Sequence, residues 1–283
     1  IQIVTDSPSD LPVELQKKYG VHVIPLQVLF GEQAYLDGVN LSKEAFYTKL
    51  QDTPLLPKTS QPTPEAFYSL FEPMVQRGDE VIAILLSSSL SGTVQSARIA
   101  KDMLESEQIH IVDSGTVTVA ICLLVMEAVR LRDQGVPCGQ IVEQLEQLKD
   151  RVTIYATVGT LKYLKMGGRL SASSAIIGEL LNIRPVVSVV DGQVKAVGKV
   201  RGQKAALEWI AKRLQEVPYD PAYPPILAHS ASPELGENLR SYLGKTFPLQ
   251  NAPLMEIGAV VGTHAGPGAT GIAYIAQKNP HRS

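Results

Sequence analysis

Small hydroxyl residues crowd the ends of apolar runs in this chain. Ile3-Val4-Thr5 leads into Asp6-Ser7, Leu85-Leu86 into Ser87-Ser88-Ser89, and Ile111-Val112 into Asp113-Ser114. If these runs are parallel strands of one sheet, a ligand crevice lies beyond their carboxyl ends. Ser91-Gly92-Thr93 opens a stretch of helical pattern, so its hydroxyls and free backbone N–H groups suit an anion such as a carboxylate or phosphate. The same residue types also serve as ordinary helix caps. A second hydroxyl-rich loop, Lys58-Thr59-Ser60-Gln61-Pro62-Thr63, needs only Thr63 to cap the helix that follows, which leaves Thr59 and Ser60 spare.

Three further residues stand in unusual company. Arg169 follows Gly167-Gly168, where a pliant backbone can carry a guanidinium to the surface. Arg201 ends an expected strand just before Gly202, and His264 lies in the glycine-rich stretch Gly262-Thr263-His264-Ala265-Gly266-Pro267-Gly268, read as a loop. Ser91, His264 and an acid, Asp6 or Asp113, are the types a Ser–His hydrolase needs, and the helix start at Ser91 would equally suit a small anion such as a sugar phosphate. The sequence has no HExxH, GxxxxGK[ST], post-strand GxGxxG or GxSxG, so zinc-protease, P-loop, dinucleotide and α/β-hydrolase chemistry lack their signals. Cys122 and Cys138 have no CxxC spacing and read as buried, idle thiols; no metal or cofactor is expected.

These residues need a scaffold, and the composition supplies one. With 283 residues, 45% hydrophobic and 19% charged, the chain has ample core, and its length makes two domains the expectation. A net charge of −2 argues against general nucleic-acid binding. The longest apolar run, Val117 to Val129, is interrupted by Thr118 and Glu127 and is too short to span a bilayer. Ile1 to Asp10 carry two acids and no basic n-region, so no signal peptide is expected and a cytoplasmic location is.

Residues 1–155 alternate strand and helix patterns. A short strand at Ile1–Thr5 precedes a helix opened by Asp10-Leu11-Pro12 and closed by Gly20; Val21 to Phe30 is extended with a bend or edge at Pro25. Ser42 caps a short helix, a proline-rich loop covers 54–62, and Thr63 caps a helix whose Phe67, Leu70, Phe71 and Met74 form one apolar stripe. Strands at Val81–Leu86 and Ile109–Val112 and helices at Thr93–Leu104, Val117–Arg132 and Gly139–Lys149 complete a mostly parallel sheet with helices on both faces. Residues 156–283 have another rhythm. Helical pieces flank Gly167-Gly168-Arg169, Asp191-Gly192 turns a hairpin, and late strands at Ile226–Ala228, Leu254–Val261 and Ile272–Ile275 predict a mixed or antiparallel sheet with helices on one face.

The loops, taken in order, resemble the DegV family. Val4-Thr5-Asp6-Ser7, Ile24-Pro25-Leu26, Asp37-Gly38, Thr59-Ser60-Gln61-Pro62, Ser88-Ser89-Leu90-Ser91-Gly92-Thr93, Val112-Asp113-Ser114, Lys165-Met166-Gly167-Gly168-Arg169 and Gly262-Thr263-His264 match it in sequence and spacing over essentially the whole chain. The resemblance implies a two-domain α/β fold that buries one long-chain fatty acid at and between its domains. It implies a bacterial carrier without catalytic residues of its own, in some members the fatty-acid-binding subunit of a fatty acid kinase in phospholipid synthesis. A separate kinase subunit would then be the partner, with at most transient membrane contact. On that reading Thr59, Ser60, Ser91, Gly92, Thr93 and His264 surround the carboxyl, while Arg169 and Arg201 face the partner or the phosphorylated product. The chain departs from the family pattern at Arg184, where lysine is usual, and at Gly202, where threonine is.

Overall fold

The structure, a computed structural model, describes residues 1–53, 56–172 and 182–279. Its first half runs β1 (Gln2–Asp6), α1 (Val13–Tyr19), β2 (Val21–Ile24), β3 (Gln27–Phe30), β4 (Gln33–Leu36), α2 (Lys43–Asp52), β5 (Lys58–Ser60), α3 (Pro64–Gln76), β6 (Val81–Leu85), α4 (Thr93–Met103), β7 (Ile109–Asp113), α5 (Val119–Asp133) and α6 (Cys138–Leu148). The second half runs β8 (Val152–Thr157), α7 (Lys162–Met166), β9 (Ile183–Val190), β10 (Gln193–Arg201), α8 (Gly202–Glu216), β11 (Ile226–His229), α9 (Pro233–Leu243), β12 (Leu254–Glu256), α10 (Ala259–Ala265) and β13 (Thr270–Ile275).

Strands β2-β1-β6-β7 form an all-parallel sheet in that order. Both its faces are covered, as runs such as Val81–Leu85, buried at every position, require. Val81, Ala83 and Leu85 pack with Phe67, Phe71, Val94 and Ala97 of α3 and α4, whereas Ile82 and Ile84 face α5 and α6. The second sheet is mixed, ordered β10-β9-β8-β13-β11-β12, with β11 and β12 its parallel pair. Helices α8 and α9 cover one face through Ile210, Leu214, Leu239 and Leu243. Its other face meets α5, so this helix lies between the sheets. That position explains the longest apolar run in the sequence: a helix packed on two sides must be apolar nearly all round. Its one buried acid, Glu127, is held by a forked contact from Arg130 at 2.7 Å on both oxygens. Among the described residues, no helix is long and apolar enough to cross a membrane.

Several expectations shift. Val21 to Phe30 is not one strand: it breaks at Pro25-Leu26, with β2 on the edge of the parallel sheet and β3 at the centre of a small antiparallel sheet, β4-β3-β5. Thr59 and Ser60 therefore sit on a strand rather than in a loop, because β5 pairs with β3, Thr59 opposite Val28. The chain passes from one sheet to the other at Lys149–Arg151; a boundary at 155 would cut β8, which pairs entirely within the mixed sheet. The strand expected to run on to Val261 ends at Glu256, and α10 begins at Ala259. Pro54 and Leu55 of the expected proline-rich loop lie outside the described residues, as does nearly all of the helical piece expected after Arg169.

Candidate functional site

A cavity of about 270 Å³ opens between the two sheets. Leu26, Leu86, Val117, Ile154, Val158, Val187, Val189 and Val260 make most of its wall apolar, and among the described residues Arg169 is the one charged side chain in the lining. The polar groups Thr59, Ser60, Gln61, Ser91, Thr118, Ser188, Arg169 and His264 also line it; Thr59 and His264 are in direct contact, and Arg169 is bonded to Leu90 O, next to Ser91.

His264 is on the last turn of α10, not in a flexible loop. Its Nε2 lies 2.9 Å from Thr59 Oγ1, and its Nδ1 is buried with no partner. A proton on Nδ1 would be a buried donor without an acceptor, which costs more than an unshared lone pair. The proton is therefore assigned to Nε2, which donates to Thr59 Oγ1 and leaves the threonine O–H free to donate into the cavity. Burial, with a smaller contribution from the Arg169 guanidinium, pushes the imidazole down to about 4, so the ring is neutral at neutral pH. The ring's closeness to the α7 turn depends on Gly167, where any Cβ would lie 2.2 Å from Nδ1.

On the facing side, Ser91 Oγ is 2.9 Å from Thr93 Oγ1. Thr93 is wholly buried at the start of α4 and sits behind Ser91 rather than in the lining. Gly92, the residue preceding α4, is where Gln61 crosses: a Cβ there would fall 2.2 Å from Gln61 Oε1, and Gln61 Nε2 continues to Ser96 Oγ at 3.2 Å. Gly92 thus makes room for a neighbouring side chain. Gln61 is a cavity residue that the sequence marks only as a glutamine beside a spare threonine and serine.

The arginines part company. Arg169 is half-buried, not free at the surface: its Nε donates to Leu90 O at 3.1 Å and its Nη1 to Gly167 O at 2.7 Å. It so ties the second half to the loop that carries Ser91. Arg201 is exposed at the end of β10 and is not among the cavity residues.

The strand-end acids and serines mostly hold backbone. Asp6 Oδ2 accepts from Leu86 N at 2.8 Å, Asp113 Oδ1 from Ser88 N at 3.2 Å and Gly115 N at 3.0 Å, and Ser87 Oγ donates to Gly192 O at 2.8 Å across the two halves. Neither Asp6 nor Asp113 reaches His264, whose Nδ1 has no carboxylate to orient it. That is not the relay a serine hydrolase requires. Cys122 and Cys138 are buried and unpaired.

Fold and cavity together define a class: an α/β protein of two large sheets and one small one, holding a mostly apolar chamber with a few uncharged polar groups and one guanidinium in its wall. Residues 1–277 match the model of the DegV family, described as an uncharacterised protein family, and the chain belongs to that family. It is 37% identical over 275 residues to a DegV domain-containing protein of Caldanaerobacter subterraneus, covering 97% of this chain and 98% of that one. A Deinococcus radiodurans relative is 39% identical over 275 residues, 96% of this chain and 97% of its own. Among solved structures, a fatty-acid-binding DegV family protein of Thermus thermophilus superposes with a TM-score of 0.87 at 32% identity, covering 97% and 99% of the two chains. A stearic-acid-binding protein of Eubacterium ventriosum superposes at 0.85 with 30% identity, covering 98% of each.

Proposed function

We propose that this chain is a carrier that holds one long-chain fatty acid, its acyl chain in the apolar cavity and its carboxyl against Thr59 and Ser91. The observation that carries the reading is the cavity itself, apolar over most of its wall, with the hydroxyls of Thr59 and Ser91 among the polar groups that line it. Fatty-acid binding in relatives alike along their whole length supports it. Burying about 15 methylenes is worth about 12 kcal/mol gross, at about 0.8 kcal/mol each. A carboxylate buried without partners would cancel several kcal/mol of that. The Thr59 hydroxyl, turned outward by His264, supplies one donor and Ser91 a second, without a bidentate cation that would blunt the oxygen as a nucleophile.

An uncharged cradle of this kind suits presentation of the carboxyl to a separate kinase subunit for acyl-phosphate formation, with Arg169 at the mouth and Arg201 on the exposed surface meeting the partner or product. Native mass spectrometry of freshly purified protein tests the carrier reading. A bound mass equal to one long-chain fatty acid is the expected result; a bound sugar phosphate, or esterase turnover labelled at Ser91 by a fluorophosphonate, overturns it.

A further inference from the structure

Far from the cavity, at the opposite end of the parallel sheet, three side chains converge that no part of the lipid reading uses. Glu80 immediately precedes β6, His110 is the second residue of β7, and Cys138 opens α6. The pleat explains the meeting. His110 is paired with Ile82 in the parallel register, and Glu80 is two residues before Ile82, so side-chain alternation puts all three on one face. Ile82 and Val112 on that face pack with Ile141 and Leu145 of α6, the helix whose first residue is Cys138. The carboxylate, imidazole and thiol then have ligand atoms all within 4.8 Å of one another.

None of these three side chains makes a hydrogen bond or ion pair with another described residue. Three metal-ligating side chains of different types, brought from β6, β7 and α6 to within bonding reach of one point, form a candidate cation site. Their types specify the cation. Thiolate, imidazole and carboxylate together are a borderline-soft set, suited to zinc rather than to magnesium or calcium. At metal–ligand bonds of about 2.0–2.3 Å, tetrahedral ligand atoms are separated by roughly 3.3–3.8 Å, within about 1.5 Å of the 4.8 Å that bounds the present spacing. Cys138 is buried, His110 half-buried and Glu80 exposed, so the fourth position faces solvent and is left for water.

We propose that Glu80, His110 and Cys138 form a zinc-type site that ties β6, β7 and α6 together at the amino edge of the parallel sheet. Binding forms bonds from the cation to Cys138 Sγ, one His110 ring nitrogen and one Glu80 carboxylate oxygen, and the thiol proton leaves to solvent. Because the cation binds the folded chain and not the dispersed ligands of the unfolded one, it raises the unfolding temperature.

Cobalt(II) is the probe, added to untagged protein kept reduced with a phosphine. The expected result is a thiolate-to-cobalt charge-transfer absorption that saturates at one equivalent and is lost on adding zinc. Cys138→Ser abolishes the band and Cys122→Ser retains it. Glu80→Gln, at an exposed position that folding tolerates, weakens cobalt binding tenfold or more, as does His110→Gln. Zinc raises the unfolding temperature of the wild type but not of Cys138→Ser. No thiolate band in the wild type, or a band that survives Cys138→Ser, overturns the proposal, and neither outcome bears on lipid binding.

Discussion

The two ends of α10 solve opposite problems. At its amino end, the exposed N–H groups meet carboxylates supplied by the first half: Asp10 Oδ1 accepts from Gly258 N at 2.6 Å, and Asp37 Oδ1 from Ala259 N at 3.3 Å. Asp10's other oxygen takes the Thr118 hydroxyl at 2.6 Å, and Lys43 offsets part of the charge. At its carboxyl end stands His264, neutral, bonded once and with a spare nitrogen. One end is charged and almost fully engaged; the other is uncharged and holds hydrogen-bonding capacity in reserve. The protein's own carboxylates fill the place where the helix would best attract an anion. On the proposed reading, an incoming carboxylate is met instead by the Thr59 and Ser91 hydroxyls. Clamping one end positions the other, since seven residues of helix move as a unit.

Breaking the clamp should have the largest effect. Asp10→Ala leaves the Thr118 hydroxyl and Gly258 N–H buried without their acceptor, at about 1–3 kcal/mol each. Urea unfolding should show a loss of about 2–5 kcal/mol, and a change below about 1 kcal/mol would mean that the clamp does not hold α10. Next comes the open end. Thr59→Ala combined with Ser91→Ala removes both hydroxyl donors, worth about 1.5–3 kcal/mol each toward a charged group. Lipid occupancy by mass spectrometry should fall sharply while the unfolding temperature holds; unchanged occupancy refutes the carboxyl assignment.

A third test uses pH. Burial pushes Asp6 up to about 7 and Asp10 up to about 6, against an ordinary carboxylate value near 4. Between its ordinary value and about 7, Asp6 keeps a proton in the folded chain that the unfolded chain has lost. Its contribution to stability is therefore greatest in acid and falls as pH rises through that window. Relative to Asp6→Asn, the wild type should lose stability from about pH 5 to about pH 7, by at most about 1.4 kcal/mol per unit. Parallel stability–pH curves for the two proteins would show that Asp6 is ionised throughout.

The smallest effect belongs to Arg169→Ala. Its bonds to Leu90 O and Gly167 O are partly exposed, so about 1 kcal/mol of stability should go. The His264 imidazole, relieved of a neighbouring positive charge, should titrate nearer its ordinary value, which NMR of the ring protons reads directly. With a cognate kinase subunit, acyl-phosphate formation should drop tenfold or more while lipid stays bound, about 1.4 kcal/mol in barrier terms. Loss of lipid from this variant would make Arg169 part of the binding site instead.

Local signals marked most elements. Thr63 and Ser42 cap α3 and α2 through their own hydroxyls, to Ala66 N at 3.3 Å and Ala45 N at 3.1 Å, and Asp191-Gly192 turns the β9–β10 hairpin. The parallel-then-mixed order of sheets was equally legible, because fully apolar runs and alternating runs answer to different burial. What the chain could not show locally is what distant partners impose. Ala259-Val260-Val261 has the look of a strand, yet it is helical because Asp10 and Asp37, 248 and 222 residues away from the amides they cap, take its first N–H groups. Thr59 looked like a loop residue until Val28 paired with it, and only the packing of α10 against β5 brings it to His264, 205 residues on. Propensity and periodicity act over a few residues; a cavity corner is made by side chains whose neighbours are set by how whole elements pack.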